Sequence, residues 1–138
     1  MSDLMRMSFS IDEPLFQRLE KLVRESHYTN RSEFVRDMIR EQLVGREWDE
    51  NRETLGTVTL VYNHHFRKLS DKLTELQHHH HKTVLAAMHV HLDEHVCAEV
   101  ILIKGKAGLI RQIADLLRQQ KGVLHSALAM SSTGEDLV

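Results

Sequence analysis

His89, His91 and Cys97 carry side chains that bind late first-row metals, and their spacing brings them together. In the run from Val84 to Leu92, alternation sets Val84, Ala86, Met88, Val90 and Leu92 on one wholly apolar face. The other face carries His89 and His91, because successive strand residues point to opposite sides. The run from Cys97 to Ile103 reads as the second strand of a hairpin. If both apolar faces meet one core, Val90 pairs with Ala98 and Met88 with Val100. His91 then lies opposite Cys97, and His89 opposite Glu99. A slip of one residue would turn an apolar face to solvent, which fixes the register. Cross-strand neighbours sit about 5 Å apart, so two imidazoles and a thiol converge on one patch. Nitrogen and sulfur donors suit late transition metals and exclude calcium and magnesium. A square-planar site with one thiolate fits Ni(II) or Cu(II), and a tetrahedral one fits Zn(II); spacing does not choose. The alternative is two packing histidines beside a small core cysteine.

A fourth ligand is at hand in the uninterrupted run His78 to His81. The preceding residues, Phe66 to Gln77, form an amphipathic helix with Phe66, Leu69, Leu73 and Leu76 as its stripe. At about 100° per residue, His80 continues that stripe and His78 points nearly away from it. If the stripe packs on the chain's own sheet, His78 faces outward, where a partner subunit would sit. His78 is therefore read as donated to another chain's metal; a solvated helix end is the competing reading.

The elements that must hold these residues fall into two halves, divided near Gly45. The chain has 138 residues, with 41% hydrophobic and 5% aromatic content, enough for one ordinary domain or two small ones with aliphatic cores. No apolar run approaches the roughly 20 residues needed to span a bilayer, so no membrane association is expected. The segment Met1 to Arg6 lacks the apolar stretch of a signal peptide. The single cysteine rules out an intrachain disulfide and fits a reducing cytoplasm.

In the first half, Met5, Met7, Phe9 and Ile11 alternate with Arg6, Ser8 and Ser10, the pattern of a half-buried strand. Asp12 caps a helix with Glu13 and Pro14 in its first turn and a stripe of Leu15, Leu19 and Leu22. Asn30 and Glu33 form a capping box that opens a second helix, with Phe34, Val35, Met38, Ile39 and Leu43 as its stripe. One strand and two helices make a marginal core, and a single strand has no ladder partner. The simplest solution is a dimer pairing strands from two chains. Arg6, Ser8 and Ser10 of both chains then share one exposed face, and a two-stranded ribbon of that kind fits the DNA major groove. Amides at the second helix's N-terminus would hold phosphate. Against this, residues 1–50 carry eight Lys or Arg and eleven Asp or Glu, a net charge of −3, opposite to a basic DNA-binding domain. DNA binding would then depend on local placement of Arg6 and Arg31. An ordinary dimerisation module is the alternative.

Residues 46–54 read as a linker or frayed helix end, with Trp48 free to dock on either half. The second half reads strand, helix, strand, strand, helix, strand: a strand from Gly56 to Tyr62, the helix before the histidines, the hairpin, a helix with Leu109, Ile110, Ile113, Leu116 and Leu117 on one side, and a last strand from Val123 to Met130. Gly122 stands where a helix C-cap is expected. This βαββαβ order is the ferredoxin-like arrangement, with helices on one sheet face and the other free for a partner. Ser131 to Val138 read as a loose tail.

With both halves in place, the chain resembles the nickel-responsive ribbon-helix-helix repressors, the NikR family. Asn30-Arg31-Ser32-Glu33, Gln77-His78-His79-His80-His81, and His89-Val90-His91 followed by Cys97 carry the resemblance, which covers nearly the whole chain. It implies an α+β fold: a ribbon-helix-helix DNA-binding domain over 1–50, and a ferredoxin-like (ACT-like) metal-binding and tetramerisation domain over 51–138. It implies a homotetramer, a dimer of dimers. Square-planar Ni(II), one per subunit at the tetramer interface, would be held by His89, His91 and Cys97 of one subunit and His78 of another. Tyr62 and Glu99 match positions behind the ligands. Arg6, Ser8 and Ser10 match base-contacting positions, and Asn30 and Arg31 the DNA-facing helix start. Glu33 and Asp37 match positions that help hold a second cation. Relatives often place a histidine three residues after the second ligand histidine, where this chain has Glu94 followed by His95; any secondary metal site using that loop is in doubt. The expected function is a cytoplasmic, nickel-dependent repressor of nickel-uptake genes that binds palindromic double-stranded operator DNA. It is not an enzyme and has no small-molecule substrate, because four protein ligands leave a square-planar metal no open position. The competing readings are a metal buffer or chaperone with a dimerising first half, and an antitoxin-like regulator with structural metal.

Overall fold

A computed structural model describes residues 3–138. It divides into two compact units, one up to Glu41 and one from Gln42 onward. No described helix is long and apolar enough to cross a membrane.

The first unit contains helix α1 (Glu13–Glu25) and the opening of helix α2 (Arg31–Asp49). α1 starts at Pro14's turn as expected, but Asp12 stands at the N-cap in an extended conformation and its side chain makes no capping bond; only its carbonyl serves, accepting from the Phe16 N–H at 2.9 Å. Half of the expected capping box forms at α2: the Glu33 N–H donates to Asn30 Oδ1 at 2.9 Å. The Glu33 carboxylate turns to Arg36 instead, at 2.7 Å. Residues 5–11, expected as a strand, carry no regular secondary structure. The physical reason is the missing ladder: an isolated strand leaves every backbone group unpaired, and a single chain offers it no neighbour.

The second unit contains β1 (Glu53–Asn63), α3 (Leu69–His79), β2 (Val84–His91), β3 (Val96–Lys106), α4 (Ala107–Arg118) and β4 (Val123–Met130). The sheet order is β2-β3-β1-β4 with every pair antiparallel, which is the ferredoxin-like topology. The alternation along β1 buries Thr54, Gly56, Val58, Leu60 and Tyr62 and leaves the residues between them partly open. Leu69 and Leu73 of α3 and Ile110, Ile113 and Leu117 of α4 close over that face with Ile101 and Ile103 of β3. Each such aliphatic side chain contributes about 1.5–3 kcal/mol on burial.

Three expectations need correction. The apolar face of β2 does not enter this core: Met88, Val90 and Leu92 are exposed, and the covered side carries the parity of Cys97, Glu99, Ile101 and Ile103. β3 is apolar on both faces, so pattern alone did not say which one the helices cover. A bulge between Val84 and Ala86 also breaks the stripe and pairs Val84 with Ile103. Gly122 is not a C-cap; Gln119 caps α4. Gly122 instead turns the chain at φ +98°, where a Cβ would come within 2.7 Å of the Phe66 ring. The tail is not loose at its start: Ser131 N–H donates to the Leu55 carbonyl at 2.8 Å. Trp48 docks in the core of the second unit, and of the segment 46–54, read as a linker or frayed helix end, α2 takes the residues up to Asp49 and β1 those from Glu53.

Candidate metal centre

The hairpin register is the one derived from the sequence: His91 opposite Cys97, His89 opposite Glu99, Val90 opposite Ala98 and Met88 opposite Val100. Paired residues share a face, so His89, His91, Cys97 and Glu99 project to the same side. Cys97 Sγ lies 3.2 Å from His91 Nδ1, and the His89 and His91 rings are 5.2 Å apart. Cys97 is fully buried while both histidines are exposed. Burial, reinforced by the Asp93 carboxylate, pushes the Cys97 thiol up.

Strand β1 runs on the other side of β3 and sets Tyr62 opposite Cys97. The Tyr62 hydroxyl is 3.1 Å from His89 Nδ1. Burial, then the charges of Glu99 and Cys97, push the phenol up to about 12, so it stays protonated at neutral pH. With the imidazole proton on Nδ1 and donating to the phenol oxygen, His89 Nε2 keeps a bare lone pair. Glu99 is buried, and its Oε1 accepts from Gln77 Nε2 at 3.1 Å. Gln77 therefore pins the last turn of α3 beside the hairpin, one residue before His78. His78 itself is exposed and its ring stands 6.1 Å from that of His81.

The sequence reading missed His64. Among the described residues, the metal-type ligand atoms of His64, His91 and Cys97 all lie within 4.8 Å of one another; neither His89 nor His78 belongs to that trio. The His64 ring is 5.2 Å from His91, nearly perpendicular. Its Nδ1 is buried without a hydrogen-bond partner, and desolvation holds its pKa below the ordinary value. The signal was present: His64 follows Tyr62 by two residues and so shares its parity just past the end of β1. Next to it, His65 Nε2–H donates to the Glu94 carbonyl at 2.9 Å. Asp93 shapes the hairpin loop by accepting the His95 and Val96 amides at 2.7 and 2.8 Å.

These residues fit a late transition metal. They supply imidazole and thiol donors on one face, one neutral imidazole nitrogen already stripped of water and partners, and a phenol that orients a further imidazole. Metal binding would take the proton from the Cys97 thiol.

The remaining sequence-derived residues lie in the first unit. Arg6, Ser8 and Ser10 are exposed on the irregular segment before α1. Arg31 opens α2; its guanidinium stacks 5.5 Å above the Phe16 ring and pairs with Glu20 at 3.4 Å. Asp37 accepts from the Tyr28 hydroxyl and from Arg40, and both contacts hold its carboxyl below the usual range. With Glu33 on Arg36, both candidate cation-binding carboxylates already face arginine.

A family model described as the NikR C-terminal nickel-binding domain matches residues 55–131, and one described as ribbon-helix-helix protein, copG family, matches residues 5–44. A relative from Geotalea uraniireducens is 53% identical over 138 residues, covering 99% of each chain. One from Geobacter sulfurreducens is 52% identical with the same coverage. One from Caldanaerobacter subterraneus is 44% identical over 97% of this chain and 88% of its own. All three are provisionally named nickel-responsive regulators. An uncharacterized protein from Thermotoga maritima matches 56% of the chain and 96% of its own at a TM-score of 0.51 and 18% identity, a likeness of fold alone. On both family models, and on identity held over the full length of these relatives, the chain belongs to the NikR family of ribbon-helix-helix, nickel-responsive regulators.

Proposed function

We propose that this protein is a cytoplasmic, nickel-responsive transcriptional repressor of nickel-uptake genes and not an enzyme. Its working form is a homotetramer, a dimer of dimers. Ni(II), one per subunit, sits at the tetramer interface, held by His89, His91 and Cys97 of one chain and His78 of another. The observation that carries this reading is the hairpin register, with Cys97 Sγ 3.2 Å from His91 Nδ1 and His89 on the same face, oriented by Tyr62. The exposure of His78 on a helix end pinned through Gln77 and Glu99 supports its donation outward. Bound by these four residues, Ni(II) would link the two chains. Tyr62 and Glu99 keep the ligand rings and the α3 end in place.

The domain over 1–50 binds DNA as a dimer. Paired segments around residues 5–11 present Arg6, Ser8 and Ser10 to bases in the major groove of a palindromic operator. Asn30 and Arg31 face the phosphates at the start of α2. The family match over 5–44 and the exposure of Met5, Met7 and Phe9 support this pairing. Glu33 and Asp37 are proposed as a secondary cation site, for which a cation must displace Arg36 and Arg40.

Nickel shifts DNA binding only as far as it prefers the arrangement that engages DNA. Selection of random duplex DNA by the purified protein, with nickel, with zinc and without transition metal, tests this. A palindromic site enriched only with nickel is expected. The same site under all three conditions, or none under any, contradicts a nickel-dependent repressor.

A further inference from the structure

The C-terminal tail, read from sequence as loose, is tied to the last turn of α2. Trp48 Nε1–H and Thr54 Oγ1–H both donate to the Ser131 carbonyl, at 2.8 and 2.6 Å. The Ser131 N–H reaches back to the Leu55 carbonyl. Ser132 Oγ–H donates to Glu47 Oε1 at 3.2 Å, and the Gly134 N–H closes on Ser132 Oγ at 3.0 Å. Arg52 pairs with Asp136 at 3.4 Å.

These contacts hold residues that are otherwise hard to bury. Trp48 is 4% exposed and Glu47 6%. The second Glu47 oxygen is buried with no partner, so Ser132 is the contact that keeps this carboxylate in place against its desolvation. The Trp48 ring fills the slot left by Gly56, where a Cβ would stand 3.2 Å from it. The Arg111 guanidinium lies over the same Trp48 ring, 5.6 Å from its centroid. Upstream, Gly45 sits inside the same helix with nothing near the position of a Cβ. Its neighbour Val44 turns the other way and packs against the core.

Strand β1 joins this knot to the metal centre. Thr54, Leu55 and Gly56 lie at one end of it, and Tyr62, bonded to His89, at the other. We propose that residues 131–136 are a strap that fixes the root of α2 to β1, and that this fixed root is the route by which the metal centre acts on the first unit. A contiguous chain of packed and bonded groups of this kind can carry coupling between two sites. The second clause rests on the regulator reading; the first does not.

The test uses the full chain beside two variants, one ending at Met130 and one carrying Trp48→Phe, which removes only the indole donor. Amide exchange is followed at residues 46–50 and in β3, with nickel affinity and the nickel-induced gain in DNA affinity measured alongside. The expected result is exchange at 46–50 about tenfold faster or more in the truncated chain, and faster to a smaller degree in W48F, with β3 unchanged. Nickel affinity should hold while the nickel-induced gain in DNA affinity falls about fivefold or more. Unchanged exchange at 46–50 in both variants overturns the strap. Faster exchange with an undiminished nickel gain overturns its role in coupling. If the unaltered chain shows no nickel gain at all, the regulator reading fails and the coupling with it, while the exchange result still decides the strap.

Discussion

The two units of this chain handle apolar side chains in opposite ways. In the first, Val23 and Phe34 are the buried hydrophobic residues among those described, while Leu4, Met5, Met7, Phe9, Leu15, Leu22 and Ile39 are at least half exposed. In the second, four strands, two helices and the end of α2 enclose a continuous core from Trp48 to Leu117. A single chain thus completes one core and leaves the other half-built. On the proposed reading, the first unit pairs with a second copy to bury its apolar segment, whereas the second uses one to cover an open sheet face and to complete a metal site.

The largest expected effect breaks the weaker unit. Phe9→Ala removes an aromatic ring from each copy of the proposed paired segment, about 3–5 kcal/mol per copy if it is buried there. Operator binding should be abolished in gel-shift titrations while nickel binding stays intact; retained DNA affinity would mean that Phe9 stays exposed in the working form. In the second unit, Ile110→Ala empties a fully buried position and should cost about 2–5 kcal/mol in urea unfolding. A cost near zero would mean that this core is far looser than its packing implies.

How much of this was legible in the sequence differs between the units for the same reason. The hairpin register could be read because only one pairing keeps a face apolar, and it placed His91 on Cys97 correctly. Which face the helices cover could not be read, since Val100 and Leu102 are as apolar as Ile101 and Ile103. The segment around Met7 has the alternation of a strand, but alternation describes a surface and not the partner that makes the surface a sheet. His64 escaped because it lies past the end of its strand, and only parity with Tyr62 marks it. The anchoring of Trp48 depends on a carbonyl 83 residues away, which no local pattern encodes.

Smaller effects sharpen the comparison within the metal centre. His89→Ala should weaken nickel binding by about a hundredfold or more, and His64→Ala by less than about tenfold. Isothermal titration distinguishes them, and the reverse order would assign the metal to the trio within one chain. The smallest effect lies in the first unit. The Tyr28 hydroxyl and then Arg40 depress the Asp37 pKa, and the same hydrogen bond raises that of Tyr28. A depressed carboxyl stabilises the fold above its unfolded pKa of about 4 and loses that contribution as pH falls through the folded value. A raised phenol does so below about 10 and loses it as pH rises through its folded value. Tyr28→Phe should therefore move the Asp37 titration upward in NMR and flatten the pH dependence of unfolding below about pH 4. An unmoved Asp37 titration would mean that Arg40 and Arg36, not Tyr28, hold it down.

The most direct test of the account is complementation between two defective chains. His78→Ala keeps the hairpin ligands, and Cys97→Ala keeps His78. Each alone should fail to form the planar nickel centre, seen as loss of its thiolate-to-nickel absorption. Unfolded together and refolded as mixed tetramers, they should recover a fraction of that absorption, because an intact hairpin then meets an intact His78 on another chain. No recovery in mixed tetramers, or a full planar centre in the His78→Ala protein alone, contradicts a metal site shared between subunits.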